Sequence, residues 1–244
     1  REGSKVTIHV PQRGDKRKLI DLAQENAVES LQMMRAQYEA DTTKHEEAMA
    51  ELQDALNLPR IPNRIECYDI STTQGTAIVA SRVMFVRGAP RKSEYRRFNI
   101  RSVTHEGSDD YQSMREALTR RFTRWKNAVE AEGSIEPDGK DKDETWRLLP
   151  DLLLIDGGKG QLNVAVEVLA EFELTERVPV ASLAKRIEEL FQPGKSQSVL
   201  LPRRSEALYL VQRVRDEAHR FAITSHRKRR TKMGMASKLE TIPG

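Results

Sequence analysis

Residues 148–162 read LLPDLLLIDGGKGQL, and this stretch decides the fold. The four consecutive large apolar residues from Leu152 to Ile155 suit a strand buried on both faces, which is typical of the centre of a parallel or mixed sheet flanked by helices. Asp156 follows at the carboxyl end of that strand, where ligands bind in open α/β sheets. A second interpretation is equally open from this stretch, because Asp156 could instead cap the helix that begins a few residues later. A partner residue is needed to choose between a ligand site and a cap.

The length of 244 residues suits one large or two small domains. The composition, with 32% charged residues, is that of a charged globular protein. It has no run of 18 or more apolar residues and no signal-peptide pattern, so the sequence indicates neither a membrane span nor export. The single cysteine, Cys67, rules out an internal disulfide and a cysteine-based zinc site. We therefore expect a cytoplasmic protein without a membrane partner.

Positive charge is concentrated near the end of the sequence. Residues 203–238 contain 11 Lys and Arg and three acidic residues, a net charge of +8, whereas the whole chain carries +4. The segment includes HRKRRTK at 226–232, and such a cluster favours a polyanionic partner, foremost nucleic acid. The alternative is a solvated helix end whose cations interact favourably with the helix dipole.

The order of predicted elements indicates a fold class. Apolar periodicity and Gly/Pro punctuation predict a strand at 5–10, a helical segment from about 17 to 56 that ends before Pro59 and Pro62, strands at 64–71, 76–86 and 93–103, an amphipathic helix at 109–130, a polar surface loop at 131–147, the strand that ends at Asp156, a helix to 170, a strand at 178–184, a hairpin at 187–202 and a final helix at 205–228. Three strands in a meander followed by alternating helices and strands match an α/β, ribonuclease H-like mixed sheet with flanking helices. In that fold the first and fourth strands are neighbours.

Asp69 ends the first of these strands, so it is the partner that Asp156 needs. Neighbouring strands lie about 5 Å apart, and two carboxylates that close repel each other unless a cation lies between them. A hard divalent ion, Mg²⁺ or Mn²⁺, suits such oxygen ligands and would support hydrolysis of a phosphodiester. His219, on the polar stripe of the final helix, is the sharpest candidate for a third ligand or a proton carrier.

Asp109 and Asp110 open the amphipathic helix that begins near residue 109. Helix capping with a favourable dipole interaction accounts for one of them. We expect the other to lie toward the metal site.

Six long ungapped strings carry a family resemblance: ECYDIS, QGTAIVAS, KSEYRRFNI, DDYQSMREALTRRF, LPDLLLIDGGKGQL and LLPRRSEALYLVQRVRDEAHRFAITSHRKRR. Together they resemble the C-terminal endonuclease half of UvrC, the incision subunit of bacterial nucleotide excision repair, over essentially the whole chain apart from 131–147. The resemblance implies a metal-dependent nuclease that cuts the damaged strand on the 5′ side of a lesion. Damaged double-stranded DNA and the damage-recognition subunit UvrB are its implied partners. Carried over by position, the family's catalytic triad falls on Asp69, Asp156 and His219, and its additional acidic position falls on Asp110.

The same resemblance divides the chain into three parts. Residues 1–62 are expected to form a strand and helical segment that packs on the nuclease domain, and 63–232 the ribonuclease H-like domain with 131–147 as an insertion. Residues 233–244 are expected to lead toward a helix-hairpin-helix module. Because neither that module nor the family's GIY-YIG nuclease domain is present in the sequence, we expect the chain to be part of a longer protein.

Candidate DNA-binding residues are the cations on the site's loops and on the final helix: Lys159, Lys185, Arg215, Arg220, Arg227, Lys228, Arg229 and Arg230. Two other functions compete with the nuclease. One is a ribonuclease H-like scaffold that binds nucleic acid or a partner without cutting, and converging carboxylates argue against it. The other is a nucleotide-binding enzyme that uses DGGKGQ as a phosphate loop, a weak signal because neither GxxxxGK[ST] nor GxGxxG occurs.

Overall fold

The computed structural model describes residues 10–73, 77–102, 109–130, 144–184 and 189–239. The chain divides into two structural units, residues 1–44 and 45–244. Helix α1 (Asp15–Leu56) includes all of the predicted helical segment. The strand predicted at 5–10 lies almost wholly outside the described residues.

The second unit is built on one seven-stranded mixed sheet. Its elements are β1 (Arg64–Thr73), β2 (Ala77–Val86), β3 (Ala89–Pro90), β4 (Arg96–Asn99), α2 (Asp110–Glu130), β5 (Leu152–Asp156), α3 (Lys159–Glu171), β6 (Val180–Ala184), β7 (Glu189–Phe191) and α4 (Glu206–Leu239). The strand order is β3-β2-β1-β5-β6-β7, and β4 also pairs with β2. Strands β1, β5 and β6 are parallel, whereas β2, β4 and β7 join antiparallel. The predicted mixed sheet, with the meander feeding parallel strands, is confirmed.

Each face of the sheet packs against a different layer of helices, as an unbroken apolar strand requires. On one face, side chains of β1 and β5 such as Ile65 and Leu154 pack against the end of α1 and against α4. On the other face, Tyr68 and Ile155 pack against α2 and α3. Helix α4 therefore crosses the face on which the odd-numbered residues of β1, including Asp69, point.

A buried ion pair fastens α2 to the sheet on the α2/α3 face. Glu66 of β1 and Arg121 of α2 are fully buried, and Arg121 Nη2 lies 2.7 Å from Glu66 Oε1. Burial by itself raises the pKa of Glu66, but the charges of Arg121 and Arg82 and the hydrogen bond from Arg121 outweigh that effect and lower it to about 2. The same guanidinium donates to the carbonyl oxygens of Trp146 and Leu148.

The end of the predicted surface loop is therefore part of the packed structure. Residues 131–143 of that loop lie outside the described part of the chain, but Glu144–Arg147 form a 3₁₀ turn. Trp146 in this turn is buried, with the guanidinium of Arg82 4.5 Å from its ring centroid. Cation–π contacts with arginines favour burial of the Trp146 indole. The polar composition of the loop gives no indication of this burial.

Two further elements differ in extent from the sequence expectation. Strand β4 has four residues and not the eleven of 93–103, because a 3₁₀ turn occupies Lys92–Glu94. The final helix continues past residue 228 to Leu239. Among the described helices, none combines the length and the apolar character that crossing a bilayer requires.

Candidate metal centre

The register of the two central strands brings Asp69 and Asp156 together. Strands β1 and β5 pair in parallel up to Tyr68 and Ile155, and each aspartate is the next residue of its strand. Parallel strands in register point equivalent residues to the same face. Asp69 is 2% exposed and Asp156 is 4% exposed, so both carboxylates lie largely out of water.

His219 approaches the two carboxylates from helix α4. Its Nδ1 lies 3.7 Å from Asp69 Oδ2, and one ligand atom from each of the three residues lies within 4.8 Å of the others. The His219 side chain is 55% exposed. The cluster therefore has a closed side formed by the sheet and an open side at the imidazole, where a substrate can reach it.

Apolar packing and one hydrogen bond fix the position of His219. Val211, Val214 and Ala218 bury one stripe of α4 in the core, so the histidine one residue beyond Ala218 lies at the margin of that stripe. The hydroxyl of Ser81 on β2 donates to the carbonyl oxygen of Ala218 at 3.4 Å and lies the same distance from that of Asp69. The helix turn that carries His219 is therefore anchored directly beside Asp69.

Burial and the negative charge of this site both raise the pKa of Cys67. Cys67 precedes Asp69 by two residues on the same face of β1 and is buried. Burial raises the pKa of its thiol most, and the nearby carboxylates of Asp156 and Asp69 raise it further, against a smaller opposing effect of Arg215. In the absence of a metal the thiol therefore stays protonated at neutral pH.

The loop after β5 distinguishes the two interpretations of Asp156. The N-cap residue of α3 is Gly158, and its N–H donates to Gln161 Oε1 at 2.9 Å. Asp156 thus lies two residues before the cap position and within the acidic cluster. A Cβ at Gly157 would overlap the Gln161 side chain and displace it from the Gly158 amide. Since Gln161 occupies the Gly158 amide, the loop gives no support to the nucleotide-binding alternative.

The two aspartates at the start of α2 have different positions. Asp109 is the cap, because its Oδ1 accepts hydrogen bonds from the N–H groups of Tyr111 and Gln112 at 3.1 and 3.0 Å. Asp110 is half-buried in the first turn. Within the described residues, the group of ligand atoms that fits a metal ion comprises Asp69, Asp156 and His219, and Asp110 is outside it.

Within the described part of the chain, three of the candidate DNA-binding cations make contacts with other residues of the protein. Lys159 Nζ donates to the carbonyl oxygen of Ser196 at 3.1 Å and lies over the Phe191 ring. Arg215 and Arg220 form ion pairs with their helix neighbours Asp216 and Glu217, at 2.9 and 2.6 Å. Lys185 lies outside the described residues. The backbone of α4 includes the remaining four candidates, whose side chains are not described: Arg227, Lys228, Arg229 and Arg230.

The donor set fits a divalent cation. Two carboxylates and an imidazole within 4.8 Å supply hard oxygen ligands and one nitrogen, a combination that suits Mn²⁺ and is compatible with Mg²⁺. A positive ion would also offset the repulsion between two buried negative charges. The side chains at this site can therefore hold a metal and present it to the open side.

Sequence reasoning missed the residues that extend this site across the sheet. Asp69 pairs with Ser81 of β2, and Ser81 pairs with Arg97 of β4. Ser81 and Arg97 lie in the strings QGTAIVAS and KSEYRRFNI, but neither string by itself indicates a role at the site. The strand register alone reveals them, and register is not visible in a periodicity pattern.

Comparisons with known proteins identify the family of the chain. The family described as UvrC RNAse H endonuclease domain matches residues 53–223, and that described as UvrC Ribonuclease H-like domain matches 1–34. The chain is 46% identical to UvrABC system protein C of Parafrankia sp. over 99% of its own length and 37% of that protein, and equally identical to that of Thermobifida fusca over 100% and 38%. It thus spans less than two-fifths of these relatives.

Two solved structures show a weaker likeness. An endonuclease V of Ciona intestinalis in complex with DNA is 11% identical, with a TM-score of 0.31 over 61% of this chain and 58% of that one. Human ENDOV is 15% identical, with a TM-score of 0.29 over 59% and 58%. The family match and the identity to the UvrABC relatives both cover the strands and the helix that carry Asp69, Asp156 and His219, and on that ground the chain belongs to the UvrC family, within its ribonuclease H endonuclease domain.

Proposed function

We propose that this chain is a divalent-metal-dependent endodeoxyribonuclease that hydrolyses a phosphodiester of the damaged strand and makes the 5′ incision of nucleotide excision repair. One observation carries the proposal: Asp69, Asp156 and His219 present ligand atoms within 4.8 Å of one another at the carboxyl end of the central strands. Membership of the UvrC family supports the assignment to repair. Damaged double-stranded DNA is the proposed substrate and UvrB the proposed partner in the complex that precedes incision.

The two aspartates would hold the ion, and their burial gives them fixed positions. Asp69 and Asp156 belong to adjacent hydrogen-bonded strands, so the distance between them changes little when a ligand arrives. The bound Mg²⁺ or Mn²⁺ would polarise the phosphodiester, lower the pKa of an attacking water and stabilise the leaving oxygen. The aspartates supply the negative charge that retains the ion beside an anionic substrate.

His219 contributes differently because it is half exposed. Its Nδ1 faces Asp69, which orients the ring. The imidazole can complete the metal site or exchange a proton with a water or the leaving oxygen on the open side. Asp110, which lies outside the three-residue group, is proposed to orient groups around the site or to help hold a second ion transiently.

Plasmid nicking is the experiment that tests this proposal. Supercoiled plasmid is incubated with Mn²⁺ or Mg²⁺ and the parent chain, Asp69→Asn, Asp156→Asn or the control Asp54→Asn, which changes the same charge at an exposed position of α1. We expect metal-dependent nicking by the parent and the control, and its loss in both site variants. Mn²⁺ titration of the same four proteins separates a lack of binding from a lack of cutting.

The alternative that the chain is a non-catalytic scaffold predicts the opposite results. If the parent binds Mn²⁺ no more tightly than Asp69→Asn and Asp156→Asn do, and nicks no plasmid, the nuclease proposal is wrong and the scaffold takes its place. If nicking persists unchanged in both variants, the active site lies elsewhere.

A further inference from the structure

A row of paired residues leads from the metal centre to an exposed arginine. Asp69 on β1 pairs with Ser81 on β2, which pairs with Arg97 on β4. Paired residues of neighbouring strands project to the same face, and two interstrand spacings place the Arg97 backbone about 10 Å from that of Asp69. Arg97 is exposed, whereas Asp69 and Ser81 are buried.

One turn of helix α4 lies along this row. The carbonyl oxygen of Ala218 accepts a hydrogen bond from Ser81, and His219 faces Asp69. The carbonyl oxygen of Phe221, two residues further, accepts a hydrogen bond from Arg97 Nη2 at 3.4 Å, and the Phe221 ring centroid is 4.1 Å from the guanidinium carbon. The same turn therefore sets the position of the imidazole and of the guanidinium relative to each other.

The chemistry of Arg97 suits a phosphate. A guanidinium is a planar fork of N–H donors that remains charged at any physiological pH and matches two phosphate oxygens. A nuclease site with two carboxylates repels the DNA backbone, so a cation on the approach to the site lowers the cost of bringing a strand to it. The aromatic ring beneath the guanidinium restricts its motion and leaves less entropy to be lost on binding.

From this arrangement we propose that Arg97 binds a phosphate of the incised strand next to the scissile one and thereby positions that strand over Asp69, Asp156 and His219. The inference rests on the proposed nuclease function and extends it by a substrate contact outside the three-residue group. Arg97 holds the bound phosphate at a fixed position about two strand spacings from the metal ligands.

Arg96 supplies a matched control because it is the adjacent residue of the same strand on the opposite face. It pairs with Arg82, donates to the carbonyl oxygens of Ser93 and Tyr95 and lies 5.7 Å from the Trp146 ring. Replacing either arginine by glutamine removes one positive charge, at neighbouring positions of β4. A difference in rate or affinity between the two variants therefore results from the face of the sheet on which the arginine lies and not from the change in net charge.

The test compares the parent chain with Arg97→Gln, Arg97→Lys and Arg96→Gln. Initial rates of plasmid nicking in Mn²⁺ give kcat/KM, and fluorescence anisotropy of a labelled DNA duplex with Ca²⁺ in place of Mn²⁺ gives affinity at several salt concentrations. Mn²⁺ titrations and melting temperatures detect any disturbance of α4 or of the metal centre, which a merely structural role of Arg97 would produce.

We expect Arg97→Gln to lower kcat/KM about 10- to 100-fold relative to Arg96→Gln, because the variant loses one charge-assisted hydrogen-bonded contact with DNA. The slope of log affinity against log salt should become shallower by about 0.9, the value for one phosphate. Arg97→Lys should keep the salt slope and recover part of the rate, because it keeps the charge but not the fork. Mn²⁺ affinity should equal that of the parent in all three variants.

Three results would overturn the inference, and they are distinguishable. If the parent neither nicks plasmid nor binds Mn²⁺, the proposed function fails and this inference fails with it. If the parent nicks and Arg97→Gln matches Arg96→Gln in rate and salt slope, only the role of Arg97 is wrong. If Arg97→Gln loses Mn²⁺ affinity as well, the residue acts by holding α4 and His219 in place and not on DNA.

Discussion

Replacing Asp156 by asparagine should stabilise the protein without metal and abolish its stabilisation by metal. The carboxylate oxygens of Asp69 and Asp156 lie within 4.8 Å of each other in a nearly dry site. Two unit charges at that separation repel by about 3 kcal/mol at an effective dielectric constant of about 20. The positive charge of Arg215, which acts on this site, offsets part of this repulsion, so we expect a net gain of about 1–2 kcal/mol in the free energy of unfolding of Asp156→Asn when EDTA is present.

Mn²⁺ should reverse this order. A ligand at 100 times its dissociation constant stabilises the folded parent by about 2.7 kcal/mol. Asp156→Asn lacks one of the two carboxylates of the site and should gain little. For a domain of about 200 residues each kcal/mol corresponds to about 2–4 °C in Tm. The variant should therefore melt several degrees above the parent in EDTA and at or below it in Mn²⁺.

Thermal unfolding with and without Mn²⁺ measures both effects, and Asp54→Asn again serves as the exposed control. Asp54→Asn should follow the parent in both conditions. The reasoning is refuted if Asp156→Asn melts below the parent in EDTA and both proteins gain the same Tm from Mn²⁺. That result would mean that Asp156 has a structural partner worth more than the repulsion and that the ion binds elsewhere.

Three other outcomes follow from the described contacts. His219→Ala should reduce metal-dependent nicking at least about 100-fold while changing Tm little, because the side chain is half exposed and contributes through the site; kinetics and melting curves on one preparation check both. Glu66→Gln should cost about 3–5 kcal/mol by leaving Arg121 buried without its counter-charge. Folding lowers the pKa of Glu66 from 4.5 to about 2, so the stabilisation from its carboxylate is present above pH 4.5 and is lost as the pH falls toward 2. Urea unfolding should therefore show that the difference in free energy of unfolding between the parent and Glu66→Gln becomes smaller over that range. DNA affinity of the parent should fall steeply with salt, and a flat dependence measured by anisotropy would contradict the role given to the basic end of α4.

The central part of the fold could be predicted because its residues obey local rules. The apolar run Leu152–Ile155 has no polar alternation, so it predicts a strand covered on both faces. Asp69 and Asp156 each end such a strand, and the order of elements makes those two strands neighbours. His219 follows from helical spacing against the buried positions of α4. The convergence of the three residues was therefore predictable, while their roles in catalysis remain predictions.

The remainder depends on pairings between distant parts of the chain. Glu66 and Arg121 are separated by 55 residues, and nothing local to either indicates a buried ion pair. Trp146 appears in a run of polar residues, so its burial under Arg82 is invisible to a composition rule. The position of Arg97 beside the metal centre requires the register of three strands. Long-range pairing and register are properties of the assembled sheet and not of any one segment.

Helix α4 joins the metal centre to the basic run as a single rod. His219 and Arg227 lie on one continuous helix, eight residues apart, which at 1.5 Å per residue corresponds to about 12 Å along the axis. The spacing and the rotation about the helix axis between His219 and the cationic tract at 226–232 therefore depend on the number of residues between them. Adding one residue between them would displace the tract by only about 1.5 Å but turn it by about 100° around the axis. The length of the segment 220–226 thus sets both the distance and the rotation about the helix axis between His219 and the cationic tract.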